Sequence, residues 1–377
     1  MILALCFFTL SYTQQFLYSR SLLSFSCNHS AMSLPPQPRG VRRKIWQTCA
    51  GPGVKIPKLN SIVYYFPKGH LEHACSSPDA ATASFLYDLY SSSYLCIISA
   101  VDLLADPHTD EVFAKLILTP VAIDGGVQVQ EPAPPMVPDE EDKDGNIVSY
   151  VKTLSQSDSN NTFSVPRDCA RLIFPNFNNP MPSQELSLTD VQGRVWKYNY
   201  TFRKNPDRYR FSTGWTSFRD DKKLVADDSV VFMKNSAGEL SVGIRRHMKK
   251  EGEEGGWKRE KLTESVVFEA VKFAEENTAF EVVYYPSHNW SDFVVDAKTV
   301  DDAMRIVWNS GMRVKLLLKT DESSNSNMKN VQSLGTISNV SNPSSKSPNW
   351  RILQVLAYVI MFTVFTKVEY IIRLFVW

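Results

Sequence analysis

The sequence predicts a mainly β protein with an α+β portion: a small open barrel near the middle of the chain, followed by a unit that mixes helices and strands. Three observations carry this. Between Phe163 and Lys250, short β-branched and aromatic runs alternate with turn signals, and only two brief helical stretches interrupt them. The same block holds 16 Lys/Arg against 9 Asp/Glu, a net of +7 in a chain whose total is +1, so the other residues sum to about −6. Past residue 260 the apolar spacing becomes helical. A positive surplus concentrated in one folded block is the footprint of a nucleic-acid binder.

The bulk numbers fit two or three domains with real cores: 377 residues, 43% hydrophobic and 12% aromatic. Six cysteines (Cys6, Cys27, Cys49, Cys75, Cys96 and Cys169) are scattered without a C-x-x-C pair. That spacing argues against a structural zinc site or a secreted disulfide framework and fits a reducing compartment. The opening MILALCFFTL has the apolar core of a signal peptide but no basic residue before it. Met32 begins a more ordinary cytosolic start, so residues 1–31 read as an upstream extension.

In chain order, residues 43–50 (RKIWQTCA) predict a short helix stopped by Gly51-Pro52-Gly53, and Ser61–Phe66 a strand ended by a turn at Pro67-Lys68-Gly69. His70, His73 and Cys75 lie close together but make a weak metal set without a fourth ligand. Residues 94–101 and 112–118 predict two strands around the polar turn LADPHTDE. The Pro-rich and acidic stretch 124–160 predicts an exposed linker. Within the basic block, RDCARLIF predicts a short helix stopped by Pro175. Strands follow at 185–189, 195–202 and 209–215, with a charged loop from Arg203 to Arg208. A second helix is predicted at 216–224 and a hairpin around Ser236-Ala237-Gly238. Beyond it, 261–276 predicts a helix with Leu262, Val266, Ala270, Val271 and Ala274 on one side. Strands at 280–285 and 293–295, a helix opened by Thr299-x-x-Asp302 and ended by Gly311, and a strand at 312–319 complete the unit.

Enzyme signatures fail in turn: there is no G-x-G-x-x-G, G-x-x-x-x-G-K-[ST], G-x-S-x-G or H-E-x-x-H. No catalytic residue and no cofactor is expected, and Cys169 reads as a buried thiol. Nucleic-acid binding has better support. Arg203 and Arg208 flank Asn205-Pro206 in a loop whose strands carry Trp196, Phe202, Phe211 and Trp215. An arginine fork bonds guanine O6 and N7, or a phosphate, through two donors. Thr213 and Thr216 supply hydroxyls beside it, and Lys222, Lys223, Arg245 and Arg246 are sign-compatible with backbone contacts.

These segments carry a family likeness. FSVPRDCA, ELSLTDVQGRVWKYNYTFRKNPDRYRFSTGWTSF and KKLVADDSVVFMKNSAGELSVGIRR resemble the B3-type DNA-binding domain of plant auxin response factors. KIWQTCAGPGVKIPKLNSIVYYFPKGHLEHA and AFEVVYYPSHNWSDFVV resemble the family's flanking segments, and FSVPR with VVFMK resembles its divergent, repressive branch. The resemblance implies an open seven-stranded B3-type pseudo-barrel with two short helices, inserted in an α/β dimerisation domain and followed by a partial small β ancillary domain. It implies a nuclear transcription factor that reads TGTC-containing auxin response elements in double-stranded DNA as a homodimer or with related family members. The DNA-contacting positions it implies are Arg203, Pro206, Arg208, Thr213 and Thr216, with Asn160 and Asn161 where the family carries His-Gly. Asp207 stands where relatives carry arginine, and Lys204 where they carry glycine. The dimer surface it implies is the helix face bearing Val266, Ala270 and Ala274.

The expected domains are an amino-terminal extension (1–43), a first dimerisation segment (44–123), the linker (124–160) and the B3-type domain (161–250). A second segment with dimerisation and ancillary character (251–320), a Ser/Asn-rich partial ancillary segment (321–355) and an apolar tail foreign to the family (356–377) follow. The family's carboxy-terminal oligomerisation domain is expected to be absent, as in a truncated form. Taken literally, the two apolar ends support a rival reading, a membrane-tethered protein with a soluble basic domain.

Overall fold

The computed structural model describes residues 38–51, 54, 56, 58–74, 93–121, 145–158, 163–177, 183–246, 262–286, 293–318, 331–340, 353–358, 366–370 and 374–376. In order these form β1 (Arg39–Gly40), α1 (Arg43–Ala50), β2 (Ile62–Tyr65), α2 (Pro67–Ala74), β3 (Tyr94–Ala105), β4 (Val112–Pro120) and β5 (Val148–Thr153). Then come β6 (Phe163–Val165), α3 (Arg167–Leu172), β7 (Ser183–Asp190), β8 (Val195–Arg203), β9 (Arg208–Thr213), α4 (Trp215–Asp221), β10 (Ser229–Lys234) and β11 (Leu240–Arg245). The remainder is α5 (Glu264–Glu275), β12 (Phe280–Tyr284), β13 (Val294–Asp296), α6 (Ala297–Met304), β14 (Arg313–Leu318), β15 (Val331–Val340), β16 (Leu353–Tyr358), β17 (Thr366–Tyr370) and β18 (Leu374–Val376).

The strands build three sheets. Seven strands in the order β5-β10-β11-β7-β8-β9-β6 make the curled barrel, all antiparallel except β11 beside β7. Their alternation buries Tyr198, Tyr200, Phe163, Phe211, Phe232 and Trp215 in one aromatic core. A six-stranded sheet runs β12-β4-β3-β2-β13, with β1 on β3, so strands from before and after the barrel in sequence share one sheet. Five strands, β17-β16-β15-β14-β18, make the third.

Strand β10 explains how the first two sheets meet. Its run Val230-Val231-Phe232-Met233 is buried on both faces: Val230 and Phe232 enter the barrel core, while Val231 and Met233 join the core of the flanking sheet. Helix α1 closes that seam. Trp46 is fully buried and its Nε1 donates to the Phe113 carbonyl at 2.9 Å. A Cβ on Gly243 would lie 2.3 Å from Cys49 Sγ, so only glycine lets β11 approach α1 this closely. Buried charge completes the join. Lys222 Nζ lies 2.8 Å from both Asp110, in the β3–β4 turn, and Asp190, at the end of β7. Arg246 is paired with Asp228 at 2.7 Å and donates to the Thr109 carbonyl. Burial acts to lower the Lys222 pKa, but Asp110 and Asp190 outweigh it and hold it above the ordinary lysine value.

Several expectations need correction. The turn after β2 is instead helix α2: Pro67 occupies the first helical position, where its missing N–H costs nothing and its fixed φ suits the helix. Within the stretch read as linker, Val148–Thr153 is edge strand β5, paired with β10; residues 122–144 lie outside the described residues. Asp296, not Thr299, caps α6, its carboxylate accepting from the Thr299 N–H at 3.0 Å. That helix ends at Met304, and Gly311 (φ 91°) belongs to the turn into β14. Ala270 and Ala274 do not face outward for a partner; both are 2% exposed and packed in the chain's own core. Val266 is half-buried and the exposed apolar residue of α5 is Phe273. Within the apolar tail (356–377), β17, β18 and the last three residues of β16 are strands of the third sheet. Among the described residues no helix is long and apolar enough to cross a membrane. Residues 1–37 and Cys75 lie outside the described residues.

His70 and His73 are packing residues. His70 stacks on Phe293 with centroids 4.4 Å apart, and its Nδ1 is 2.8 Å from Tyr65 Oη; His73 accepts the Tyr285 N–H. Burial lowers the His70 pKa from 6.5 to about 3. The folded value lies below the unfolded one, so this histidine's contribution to stability is complete above about pH 6.5 and is lost as pH falls toward 3.

Two measurements follow from this packing. Urea unfolding is expected to show about 2 kcal/mol less stability at pH 5 than at pH 7 from His70 alone, and His70→Phe, which keeps a ring but takes no proton, flattens that contribution to the profile. Lys222→Met leaves two carboxylates buried without their cation and is expected to cost about 3–5 kcal/mol by the same assay.

Candidate nucleic-acid interface

Strands β8 and β9 form a hairpin in which Arg203 pairs directly with Arg208, and all residues from 203 to 208 are exposed. Like charges directly opposite each other destabilise a strand pair. Neither arginine has a carboxylate partner among the described residues to offset that repulsion. Pro206 sits at the tip, after Asn205 in the left-handed region at φ 63° and a cis peptide bond. Asp207 lies 3.6 Å from Arg167, the first residue of α3.

Aromatic rings hold the base of this hairpin. Phe202 and Tyr209 lie 4.9 Å apart across it, Phe177 stacks on both, and Tyr200 lies beneath. A cleft of about 190 Å3 opens beside them, lined also by Ala170, Arg171, Pro175 and Asn176. Of the anchors expected from sequence, Phe202 lies at the base of the loop, while Phe211 and Trp215 belong to the barrel core. Trp196 lies at the far end of β8, bonded to Asp190 at 2.8 Å. Tyr209 and Phe177 were missed. Tyr209 was legible as the first aromatic after the loop, whereas Phe177 lies in a Pro/Asn-rich stretch that marks only a turn.

Thr213 is exposed and Thr216 half-buried, on either side of Gly214-Trp215. Gly214 adopts φ 89°, and a Cβ there would lie 2.0 Å from the Lys197 carbonyl oxygen, so glycine is required for β9 to turn into α4. Trp215 is buried against Phe163 with centroids 4.3 Å apart, and its Nε1 donates to the Asp158 carbonyl at 2.8 Å. Asp158 thereby joins the loop after β5 to the start of α4. Its carboxylate accepts from the Ser155 N–H at 3.0 Å, Ser155 Oγ at 2.6 Å and Lys152 Nζ at 2.6 Å. Burial would raise its pKa, but these donors outweigh burial and hold it below the usual carboxylate range. Asp158 was hidden in SQSDSNN, which reads as a polar linker. Asn160 and Asn161, two and three residues further on, lie outside the described residues.

Three of the four further cations matched to DNA by sign alone are structural. Lys222 and Arg246 are buried in the pairs described above. Arg245 donates to the Cys49 and Thr48 carbonyls at 2.7 and 2.9 Å, capping the last turn of α1. Lys223 is exposed. The cations that face solvent near the hairpin are Arg167, Arg171, Arg203, Lys204 and Arg208. Among the described residues there is no group of His, Cys, Asp and Glu able to hold a metal ion.

Known proteins match this chain. The family description B3 DNA binding domain matches residues 150–248, the span of the barrel from β5 to β11. The barrel is therefore a B3 domain. Auxin response factor 17 of Arabidopsis thaliana is 38% identical over 76% of this chain and 54% of its own length. Auxin response factor 10 of the same plant is 36% identical over 85% of this chain and 52% of its own length. A solved complex of Arabidopsis FUS3 with DNA covers 26% of this chain and 95% of that one, at 17% identity and a TM-score of 0.24. The chain spans about half the length of the curated relatives it matches. Over most of its length the chain is similar to auxin response factors.

Gly214→Ala is expected to cost several kcal/mol, more than the ~1 kcal/mol of an unstrained change, because the clash is with backbone. Thermal unfolding of the purified chain measures it, and an unchanged midpoint would contradict this account of the turn.

Proposed function

We propose that this chain is a nuclear, sequence-specific transcription regulator of the auxin response that binds TGTC-containing elements in double-stranded DNA. The observation that carries the reading is the exposed Arg203–Arg208 couple at the end of a rigid hairpin on a B3 domain. Two arginines held opposed, neither paired with a carboxylate among the described residues, suit the acceptors of guanine or phosphate. Pro206 shapes the loop tip. Thr213 and Thr216 donate hydroxyls from the adjoining turn, and the family resemblance adds Asn160 and Asn161 as further contacts. The likeness to auxin response factors supports a part in the auxin response, and the TGTC element and a repressor-like role rest on the motif resemblance of the sequence.

In this reading two copies, or one copy with a related factor, bind paired half-sites at a spacing set by their symmetry. Since Ala270 and Ala274 are internal, the outward stripe of α5 is that of Val266 and Phe273, seven residues apart and so on one face. Phe273 is the large apolar side chain exposed there.

Binding of the full chain to duplexes with TGTC inverted repeats and to scrambled controls, across a salt series, tests the reading. Preference for the repeat is expected, and equal affinity for both would sink it. Arg208→Ala is expected to lower binding to the repeat by about 1–3 kcal/mol with little change on the control. An equal loss on both would reassign Arg208 to phosphate.

A further inference from the structure

The contact between Asp207 and Arg167 has no evident use in the fold. Their charged groups are 3.6 Å apart, and the side chains are 41% and 52% exposed. A pair so open to water contributes little to stability, because solvent already satisfies each charge. Its position is more informative. Strand β6 pairs with β9 in the register Ser164↔Arg210 and Val165↔Tyr209. The chain leaving β6 therefore carries Arg167 up beside the 203–208 loop. Arg167 adds a cation to the group formed by Arg203, Lys204 and Arg208, and Asp207 is the one acid within that loop.

We propose that Arg167 is a further phosphate contact and that Asp207 competes with DNA for it. The proposal rests on the reading that this loop faces DNA. A phosphate free to take both prongs of the guanidinium fork makes a stronger arrangement than the single 3.6 Å contact to Asp207. Docking exchanges one anion for the other, and the released Asp207 carboxylate then faces the phosphates. The exchange lowers affinity without erasing it, and it lowers it on every sequence, since backbone contacts carry no base information.

The test uses the full chain on a TGTC-repeat duplex and an unrelated duplex, each over a salt series. Asp207→Asn is expected to tighten binding to both by about 3–10-fold and to steepen the slope of log affinity against log salt by about one, because no released carboxylate then offsets the charge that Arg167 brings to the phosphate. In an Arg167→Gln background the same change is expected to gain less than about half as much on a logarithmic scale, with no added slope. Equal gains in both backgrounds would reduce Asp207 to general repulsion and overturn the competition. An unchanged slope in Asp207→Asn would overturn Arg167 as a phosphate contact. Wild-type chain that binds neither duplex would remove the DNA-facing reading itself, an outcome distinct from either.

Discussion

The ammonium of Lys222 sits between the carboxylates of Asp110 and Asp190, each 2.8 Å away, and most of the described architecture refers back to that point. Asp110 belongs to a turn of the flanking sheet. Asp190 ends β7, accepts the Trp196 indole N–H and shapes the turn into β8 through the Gln192 and Arg194 N–H groups. A buried ion pair of this kind is a poor source of net stability, because desolvation offsets its attraction. It is a demanding geometric condition all the same. The barrel can sit on the flanking sheet in the one arrangement that brings both carboxylates to one cation. Helix α4 then acts as a strut: Lys222 follows its last residue, and Trp215 at its first residue holds the Asp158 loop. Fixing one end of the helix to the flanking sheet positions the other end beside the proposed reading surface.

Much of this was legible in the sequence. Alternation showed the strands of the barrel, and the two short helices stood out because their spacing broke it. The hidden elements share a physical cause: a local signal with two structural uses. Proline followed by Lys-Gly reads as a turn, yet proline also suits the first position of a helix, which is its role in α2. Val148–Thr153 lacked contrast with the polar stretch before it, and only pairing with β10 makes it a strand. Thr299 and Asp296 both qualify as caps, and the carboxylate that reaches a free N–H holds the position. Periodicity grouped Ala270 with Ala274 correctly, but a periodic face does not say whether it covers its own sheet or another chain.

At the interface, residue type was a better guide in the loop than elsewhere. A hairpin tip has little to bury, so Arg203 and Arg208 keep their charge in solvent, where the sequence placed it. Lys222, Arg245 and Arg246 carry the same formal charge at or just past the ends of α4 and β11 and point inward, to carboxylates and to the end of α1. Net charge counts cations without recording which have partners, so the basic surplus overstated the surface left for DNA. What remains is smaller and more local, a cluster around one rigid loop with a single acid inside it.

The shared sheet carries one more consequence. Strand β12 pairs with β4, setting Phe280 against Leu118 with the whole barrel between them in sequence. During synthesis the chain emerges from its amino end, so β2, β3 and β4 can pair with one another early, but β4 lacks β12 and β2 lacks β13 until the entire B3 domain has left the ribosome. Until then β4 has an open edge, an unpaired row of backbone groups of the kind that invites wrong strands. The barrel is thus also a delay, and its folding brings together the two stretches of chain that must find each other to finish the sheet.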